Sequence, residues 1–330
     1  LATRGSKLSF SGVKTFPPLI FISFSHPGIF KVCTLQQPYW EMYKIIVLAK
    51  QVPDTRNVGK DAMKADGTVN RAALPAIFNP EDLNALELAL EIKDQYPDTQ
   101  ITLLTMGPVR AAEILREGMY RGADAGVLLT DKAFAGSDTL ATSYALSCAI
   151  RKIGEADLIF AGRQAIDGDT AQVGPQVADK LGIPQVTYAE EVISLKDRTI
   201  RIKRRLERGV EVVECSLPVL ITAHSTAPDC RPRNAKRLMK FKRATTLSER
   251  HSSADDYLST QQDKAYLTIT EWCAKDVNSD LVQLGLGGSP TKVRQVENIV
   301  FQAKESKVLG TDDADIEWLM QELISQHTIG

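Results

Sequence analysis

The chain has 330 residues, 43% hydrophobic and 25% charged, and its 40 Lys+Arg almost balance 41 Asp+Glu. This is an ordinary globular composition with enough chain for one large domain or two of about 150 residues. It excludes disorder over most of the length, removes a whole-chain electrostatic case for nucleic acid, and contains no run of 18 apolar residues that would span a membrane as a helix.

Residues 1–41 begin with Leu, carry Pro17, Pro18, Pro27 and Pro38, and show neither helical nor strand period. The apolar run Leu19–Phe24 follows Arg4, Lys7 and Lys14 in the order of a signal peptide, but it is short and no small-residue cleavage site follows. The stretch is expected to be appended or non-native and poorly ordered, a targeting segment being the alternative. Folded sequence is expected from Met42.

From there strands and helices alternate. Ile45–Ala49 is a continuous apolar run, as in a strand buried on both faces. Asn79-Pro80-Glu81-Asp82 opens a helix: Asn suits the N-cap, Pro the first turn, and two acids the positive end of the dipole. Leu83, Leu86 and Leu90 carry it to about Tyr96, with Pro97 beyond. Ile101–Thr105 is a second strand, Met106-Gly107-Pro108 turns into a helix with Ile114 and Leu115, and Ala125–Leu129 is a third strand. Ser137 is expected to cap a helix through Leu140, Tyr144 and Ile150, and Asp157–Ala161 is a fourth strand.

After Ile183 the period shortens. Val186–Leu195, Thr199–Leu206, Val210–Glu214 and Val219–Ala223 read as strands, with turns at Lys196-Asp197 and Arg208-Gly209. Pro228 to about Lys264 is polar and irregular. Asp312–Ser325 has helical period through Ile316, Leu319, Met320 and Leu323, an apolar face suited to docking on a partner. There is no internal repeat. Strands joined by helices predict a parallel α/β sheet covered on both faces, with ligands beyond the carboxyl ends of the strands.

The chemistry-bearing segment is G-R-Q-A-I-D-G-D-T-A-Q-V-G-P, residues 162–175, which follows a buried strand and opens a helix. Asp169-x-x-Gln172 has the form of a capping box, which would turn the amides of Thr170, Ala171 and Gln172 outward toward an anion. Gly162 and Gly168 are expected to allow close backbone approach and positive φ. Asp167 and Asp169 would repel a phosphate, so they are assigned to backbone caps or ribose hydroxyls. A capped turn without a ligand is the plainer alternative. No P-loop, G-x-S-x-G elbow or H-E-x-x-H pair occurs, and no general acid, base or nucleophile is nominated. Five cysteines without C-x-x-C spacing argue against disulfide frameworks and zinc, and point to a reducing, cytoplasmic compartment.

Residues 162–169 closely resemble the nucleotide-binding stretch G-[KR]-Q-A-I-D-x-D of the electron-transfer flavoprotein β subunit. Ile45–Val52 resembles that family's first strand, Asn79-Pro80 its N-P, Met106-Gly107-Pro108 its x-G-P, and Pro184-Gln185 its P-Q. Arg233–Lys242 resembles its recognition loop, with Leu238-Met239-Lys240 for I-M-K; no leucine stands at Ala235, where the family often has its anchor, and Leu238 is the nearest. The fold implied is α/β, a doubly wound, mainly parallel sheet of the Rossmann-like, adenine-nucleotide-binding type with a C-terminal extension. A nucleotide-binding domain over 42–227 would be followed at 228–330 by the recognition loop and an arm docking on an α subunit.

The implied cofactor-binding residues are Leu48, Ala49, Lys50, Asn79, Asp82, Met106, Gly107, Gly162, Arg163, Gln164, Ala165, Ile166, Asp167, Gly168, Asp169, Thr170, Ala171, Gln172 and Val173. The resemblance implies a heterodimer whose α subunit holds an electron-transferring FAD. In ordinary members the β site holds AMP. In electron-bifurcating members it holds a second FAD, reduced by NADH, which sends one electron to ferredoxin or flavodoxin and the other, through the α-subunit FAD, to an acyl-CoA dehydrogenase met by the 232–242 loop. Ordinary members commonly read D-D-D after Q-A-I and continue to Q-T-G. Gly168 in the middle position and the tail Gly285–Thr291 favour the bifurcating branch. A non-redox adenine-nucleotide regulator of the universal-stress type is the remote alternative; adenylyl-transfer strings such as S-G-G-x-D-S are absent.

Other conspicuous residues have plain readings. Seven of the thirteen residues from Arg231 to Arg243 are basic, which suits a solvated or partner-docking loop; Phe241 alone could stack on a base, so nucleic acid is disfavoured. Arg201, Lys203 and Arg205 alternate on a solvent face. Cys148 reads as core, and Trp272 and Trp318 as packing anchors.

Overall fold

The computed structural model describes residues 20–24, 30–34, 42–54, 75–252, 264–292, 308–326 and 328–329. Strands Ile20–Phe24 (β1) and Phe30–Thr34 (β2) pair antiparallel, against the expectation of no strand period. Runs of Ile, Phe and Val have strand propensity without strict alternation. The expectation that the rest of 1–41 is appended and poorly ordered lies outside the described residues.

The chain forms two compact units, residues 1–52 with 76–292, and residues 53–75 with 293–330. The first is built on Lys44–Leu48 (β3), Gln51–Pro53 (β4), Ala76–Phe78 (β5), Pro80–Gln95 (α1), Gln100–Met106 (β6), Ala112–Arg121 (α2), Ala125–Leu129 (β7), Thr139–Ile153 (α3), Leu158–Gly162 (β8) and Val173–Leu181 (α4). There follow Gln185–Lys196 (β9), Thr199–Leu206 (β10), Gly209–Ser216 (β11), Val219–Ala223 (β12), Ala235–Phe241 (α5), Leu247–Ser252 (α6), Thr270–Trp272 (β13) and Gly285–Gly288 (α7). Nine strands make one sheet in the order β11-β10-β9-β12-β8-β3-β6-β7-β13, while β4 and β5 form a separate pair. From β9 to β13 every neighbouring pair is parallel; β10 runs antiparallel to both β9 and β11. The expected doubly wound α/β sheet is present.

The apolar runs become central strands because alternate side chains serve two cores. Ile45 and Val47 of β3 pack with Leu86, Leu90 and Leu115 of α1 and α2; Ile46 and Leu48 pack with Leu146 and Val177 of α3 and α4. Cys148 is buried in the second core, as expected. From β3 the chain moves outward through β6 and β7, then returns to β8 on the other side of β3. The β3/β8 junction is therefore where strand order reverses, the position at which open α/β sheets take their ligands, outside the carboxyl ends of the strands.

Several local expectations are corrected. Asp138, not Ser137, caps α3, accepting from Ala141 N; the Ser137 hydroxyl instead donates to Phe134 O. The β9–β10 turn is Asp197-Arg198, both at positive φ (50° and 57°), as a two-residue type I′ turn requires. The stretch read as polar and irregular contains α5, capped by Asn234 through Arg237 N, and α6. Beyond it, β13 adds a ninth strand through parallel pairing with β7. Three residues carry no readable period, so β13 depends on its partner.

In the second unit, Asp313–Ser325 forms α8, capped by Asp312 through Asp315 N, where helical period is expected. Ile316, Met320 and Ile324 on it are exposed.

Candidate functional site

The carboxyl ends of β3, β6 and β8 bring together Lys50, Met106-Gly107 and Gly162–Gln164, and the first turn of α1 braces the ends of β3 and β8. Asn79 does not cap α1 through its side chain. Its Nδ2 donates to Gln164 O (2.9 Å) and its Oδ1 accepts from Ile166 N (3.2 Å). Glu81 accepts from Gln164 N and Arg163 Nη2, both at 2.9 Å. Asp82 accepts from Lys50 N (2.8 Å) and Gly162 N (2.9 Å), so one buried carboxyl ties the two rims of the crevice. Burial drives the Asp82 pKa up to about 7, against the hydrogen bonds from Asn79, Lys50 and Gly162 that draw it down.

Gly162 is needed for contact. A Cβ there would lie 2.4 Å from Asp82 Oδ1 and 2.8 Å from both Asp82 N and Glu81 C. Gly168 is the opposite case, with no atom of the described residues within 4 Å of its Cβ position. Neither has the expected positive φ. The left-handed positions are Asp169 (48°) and Ala171 (52°), a strained backbone of the kind that collects at functional sites.

The expected capping box is not formed. The helix after the loop starts at Val173, its N-cap Gln172 is already helical in conformation, and no side chain caps it. The assignment of Asp167 and Asp169 to backbone caps is corrected accordingly. Asp167 pairs with Lys50 Nζ (2.7 and 2.9 Å), and Asp169 accepts from Gln164 Nε2 (2.9 Å). Gln172 Oε1 accepts from Thr139 Oγ1 (2.9 Å). The amides of Thr170, Ala171 and Gln172 have no acceptor among the described residues. The loop thus offers free donors while its acids are already engaged. That donor set fits a phosphate or pyrophosphate, and the space at Gly168 leaves room for the group it carries.

The remaining predicted residues divide by exposure. Leu48 and Ala49 are core side chains, so only their backbone reaches the strand end. Asp82 is buried behind the rims that it joins. Met106 packs on the second core, and Gly107 N donates to Leu129 O. Glu81 and Thr139 were not singled out by sequence. Glu81 was legible only as a first-turn acid, and Thr139 is brought to Gln172 by the packing of α3 on α4. Tyr188, in β9 at φ 61°, was also missed; the Arg163 guanidinium lies 5.9 Å from its ring centre, and the His224 ring 6.0 Å away. Burial, then the Arg163 charge, pushes the His224 pKa down.

The basic segment is less free than its composition suggests. Arg231 forks onto Glu87 and reaches Asp94. Arg237 donates to Met119 O and Ala123 O at the end of α2. The solvated-loop reading is corrected for these two arginines, whereas Lys236, Met239 and Lys240 are exposed. Arg201 and Arg205 are exposed as expected. Among the described residues there is no cluster of three metal-ligating side chains, and no helix is long and apolar enough to cross a membrane.

Residues 66–246 match the family model described as the electron transfer flavoprotein domain. The chain is 42% identical over 296 residues to an electron transfer flavoprotein subunit beta of Megasphaera elsdenii, covering 87% of this chain and all of that one. The chain belongs to the electron transfer flavoprotein β-subunit family. A second β subunit, from Clostridium acetobutylicum, is 44% identical over 251 residues, 76% of this chain and 86% of that one. The caffeyl-CoA reductase-Etf complex subunit CarD of Acetobacterium woodii is 42% identical over 250 residues, again 76% and 86%. The electron transfer flavoprotein domain takes in α1, the 162–173 loop and α5; β3, with Lys50 after it, precedes the matched residues.

Proposed function

We propose that the chain is the β subunit of a heterodimeric electron transfer flavoprotein, paired with a homologous α subunit, and that the β3/β8 crevice holds FAD in the manner of an electron-bifurcating member. The observation carrying this reading is the loop itself. Among the described residues the three amides at 170–172 lack acceptors, Asp167 and Asp169 are engaged, and nothing lies within 4 Å of a Cβ at position 168. When bound, the flavin would supply the redox chemistry, the division of an electron pair from NADH between ferredoxin or flavodoxin and, by way of the α-subunit FAD, an acyl-CoA dehydrogenase.

The chain's own residues bind and orient. The 170–172 amides and the uncapped start of α4 face the phosphates. Lys50 offsets the charge of Asp167, and Asn79, Glu81 and Asp82 keep the loop fixed to both strand ends. On α5, Met239 is 64% exposed while Leu238 is partly buried, so Met239 is the apolar side chain offered to a dehydrogenase beside Lys236 and Lys240. The name of CarD describes a complex with a caffeyl-CoA reductase, which supports a partner acting on an acyl-CoA.

AMP is the second reading, because the same amides take a single phosphate. A nucleotide count decides between them. The chain is co-expressed with its α subunit, the heterodimer is denatured, and released FAD and AMP are quantified. Two FAD with little AMP is the expected result. One FAD with one AMP rejects bifurcation and retains the carrier; adenine nucleotide with no flavin favours a non-redox regulator.

A further inference from the structure

Thr139 lies outside the Gly162–Val173 run, yet it is tied to it. Its Oγ1 donates to Gln172 Oε1 at 2.9 Å. With the oxygen of the carboxamide engaged, the Gln172 Nε2 is left without an acceptor among the described residues, on the residue that ends the run of free amides.

The chain neighbour of Thr139, Asp138, the cap of α3, is in turn fastened from the other side. Asp138 Oδ1 accepts from Ala141 N (3.0 Å), and its Oδ2 accepts from Thr291 N (3.0 Å) and Thr291 Oγ1 (2.7 Å). The buried Ser289 hydroxyl accepts from Asp138 N (2.8 Å) and donates to Gly285 O (2.6 Å). Gly285 N donates to Ser137 Oγ (3.1 Å). Gly285 has φ 58°, and a Cβ there would be 2.5 Å from Ala133 O, so only glycine lets this segment seat. Gly285–Thr291 is a strap across the start of α3, bonded to Ser137 and Asp138, and Thr139, next to Asp138 in the chain, carries the hydrogen bond on to the loop.

We propose that Thr139 is a positioning residue for the nucleotide site, orienting the Gln172 carboxamide so that its N–H groups join the 170–172 amides as donors to an anion, and that the Gly285–Thr291 strap holds Thr139 in place. The inference rests on the nucleotide reading of the crevice. By linkage, a bound nucleotide tightens the strap by the factor with which the strap tightens the nucleotide.

The test uses the full chain in complex with its α subunit, stripped of nucleotide and titrated calorimetrically with AMP as the probe. Thr139→Val is expected to weaken AMP binding by about 2–10-fold, the range for one hydrogen bond. Thr139→Ser keeps the hydroxyl and is expected to restore wild-type affinity, which a role in packing alone would not do. Thr291→Val removes one bond to Asp138 and is expected to weaken AMP in the same direction by a smaller factor. Wild-type affinity in Thr139→Val, or equal loss in the Val and Ser variants, overturns the inference and leaves the nucleotide reading standing. A wild-type complex that neither releases nor binds an adenine nucleotide overturns that reading, and this inference with it.

Discussion

Replacing Gly162 by alanine puts a methyl group where α1 and β8 touch. It would stand 2.4 Å from Asp82 Oδ1 and 2.8 Å from two backbone atoms, Asp82 N and Glu81 C. A side-chain oxygen can turn away, but the backbone of the α1 turn is held by Asn79 N to Lys50 O and by the bonds of Asn79 and Glu81 to Gln164 and Ile166. Relief therefore requires α1 and β8 to separate. Overpacking of this kind costs about 1–3 kcal/mol. Losing one of the amide bonds to the Asp82 carboxyl adds about 1.5–3 kcal/mol. A total near 4 kcal/mol lowers the melting temperature by about 8–16 °C for a domain of this size. Gly168→Ala is the matched control: its new methyl meets nothing within 4 Å, so its effect should stay within about 0.5 kcal/mol. Thermal unfolding of the two variants side by side reads the difference. If Gly162→Ala melts with Gly168→Ala, the α1 turn is not the rigid brace described, and the positions assigned to the rims fall with it.

Gly168→Asp should leave the melting temperature close to wild type yet weaken FAD binding in the β site, because a third carboxylate and its bulk join Asp167 and Asp169 beside the phosphate-facing amides; FAD bound with wild-type affinity would refute the use made of that position. Asp82, with its pKa raised to about 7 by burial, holds in the folded state a proton that the unfolded chain releases near its ordinary 3.8. Its contribution is present in full below that lower value and is lost as pH rises toward and through 7, so Asp82→Asn should flatten the fall of stability between about pH 4 and 7, seen in denaturant titrations across that range. Arg231→Lys should destabilise by about 1.5–3 kcal/mol, because an ammonium cannot keep the fork onto Glu87 together with the reach to Asp94; a denaturation midpoint equal to wild type would show that the Arg231 fork does not hold the 231–237 segment in place.

Much of the fold was legible because it is local. Ala125–Leu129, Thr199–Leu206 and Val219–Ala223 are strands within the bounds that their apolar or alternating runs suggest, and Pro80 marks the start of α1. The G-R-Q-A-I-D-G-D run marked the segment of the candidate site, since its glycines and acids stand next to one another in the chain. Side-chain roles were less legible. Asn79 looked like a helix cap and instead spans to Gln164 and Ile166, because the 162–166 loop competes for the same carboxamide. Asp167 and Asp169 looked like caps, and their partners are Lys50, brought over from β3, and Gln164.

By itself the sequence determined the alternation of strand and helix in the sheet from β3 to β12 and marked the loop after β8 as the candidate site, both of which depend on residues a few positions apart. Tertiary structure alone decided that β3 and β8 lie side by side at the reversal of strand order, that Asp82 bridges their ends, and that Thr139 and Thr291 are joined through the start of α3 to the loop. Hydrogen bonds between residues 32 to 153 positions apart have no periodicity to betray them, and their distances are set by how the apolar faces pack.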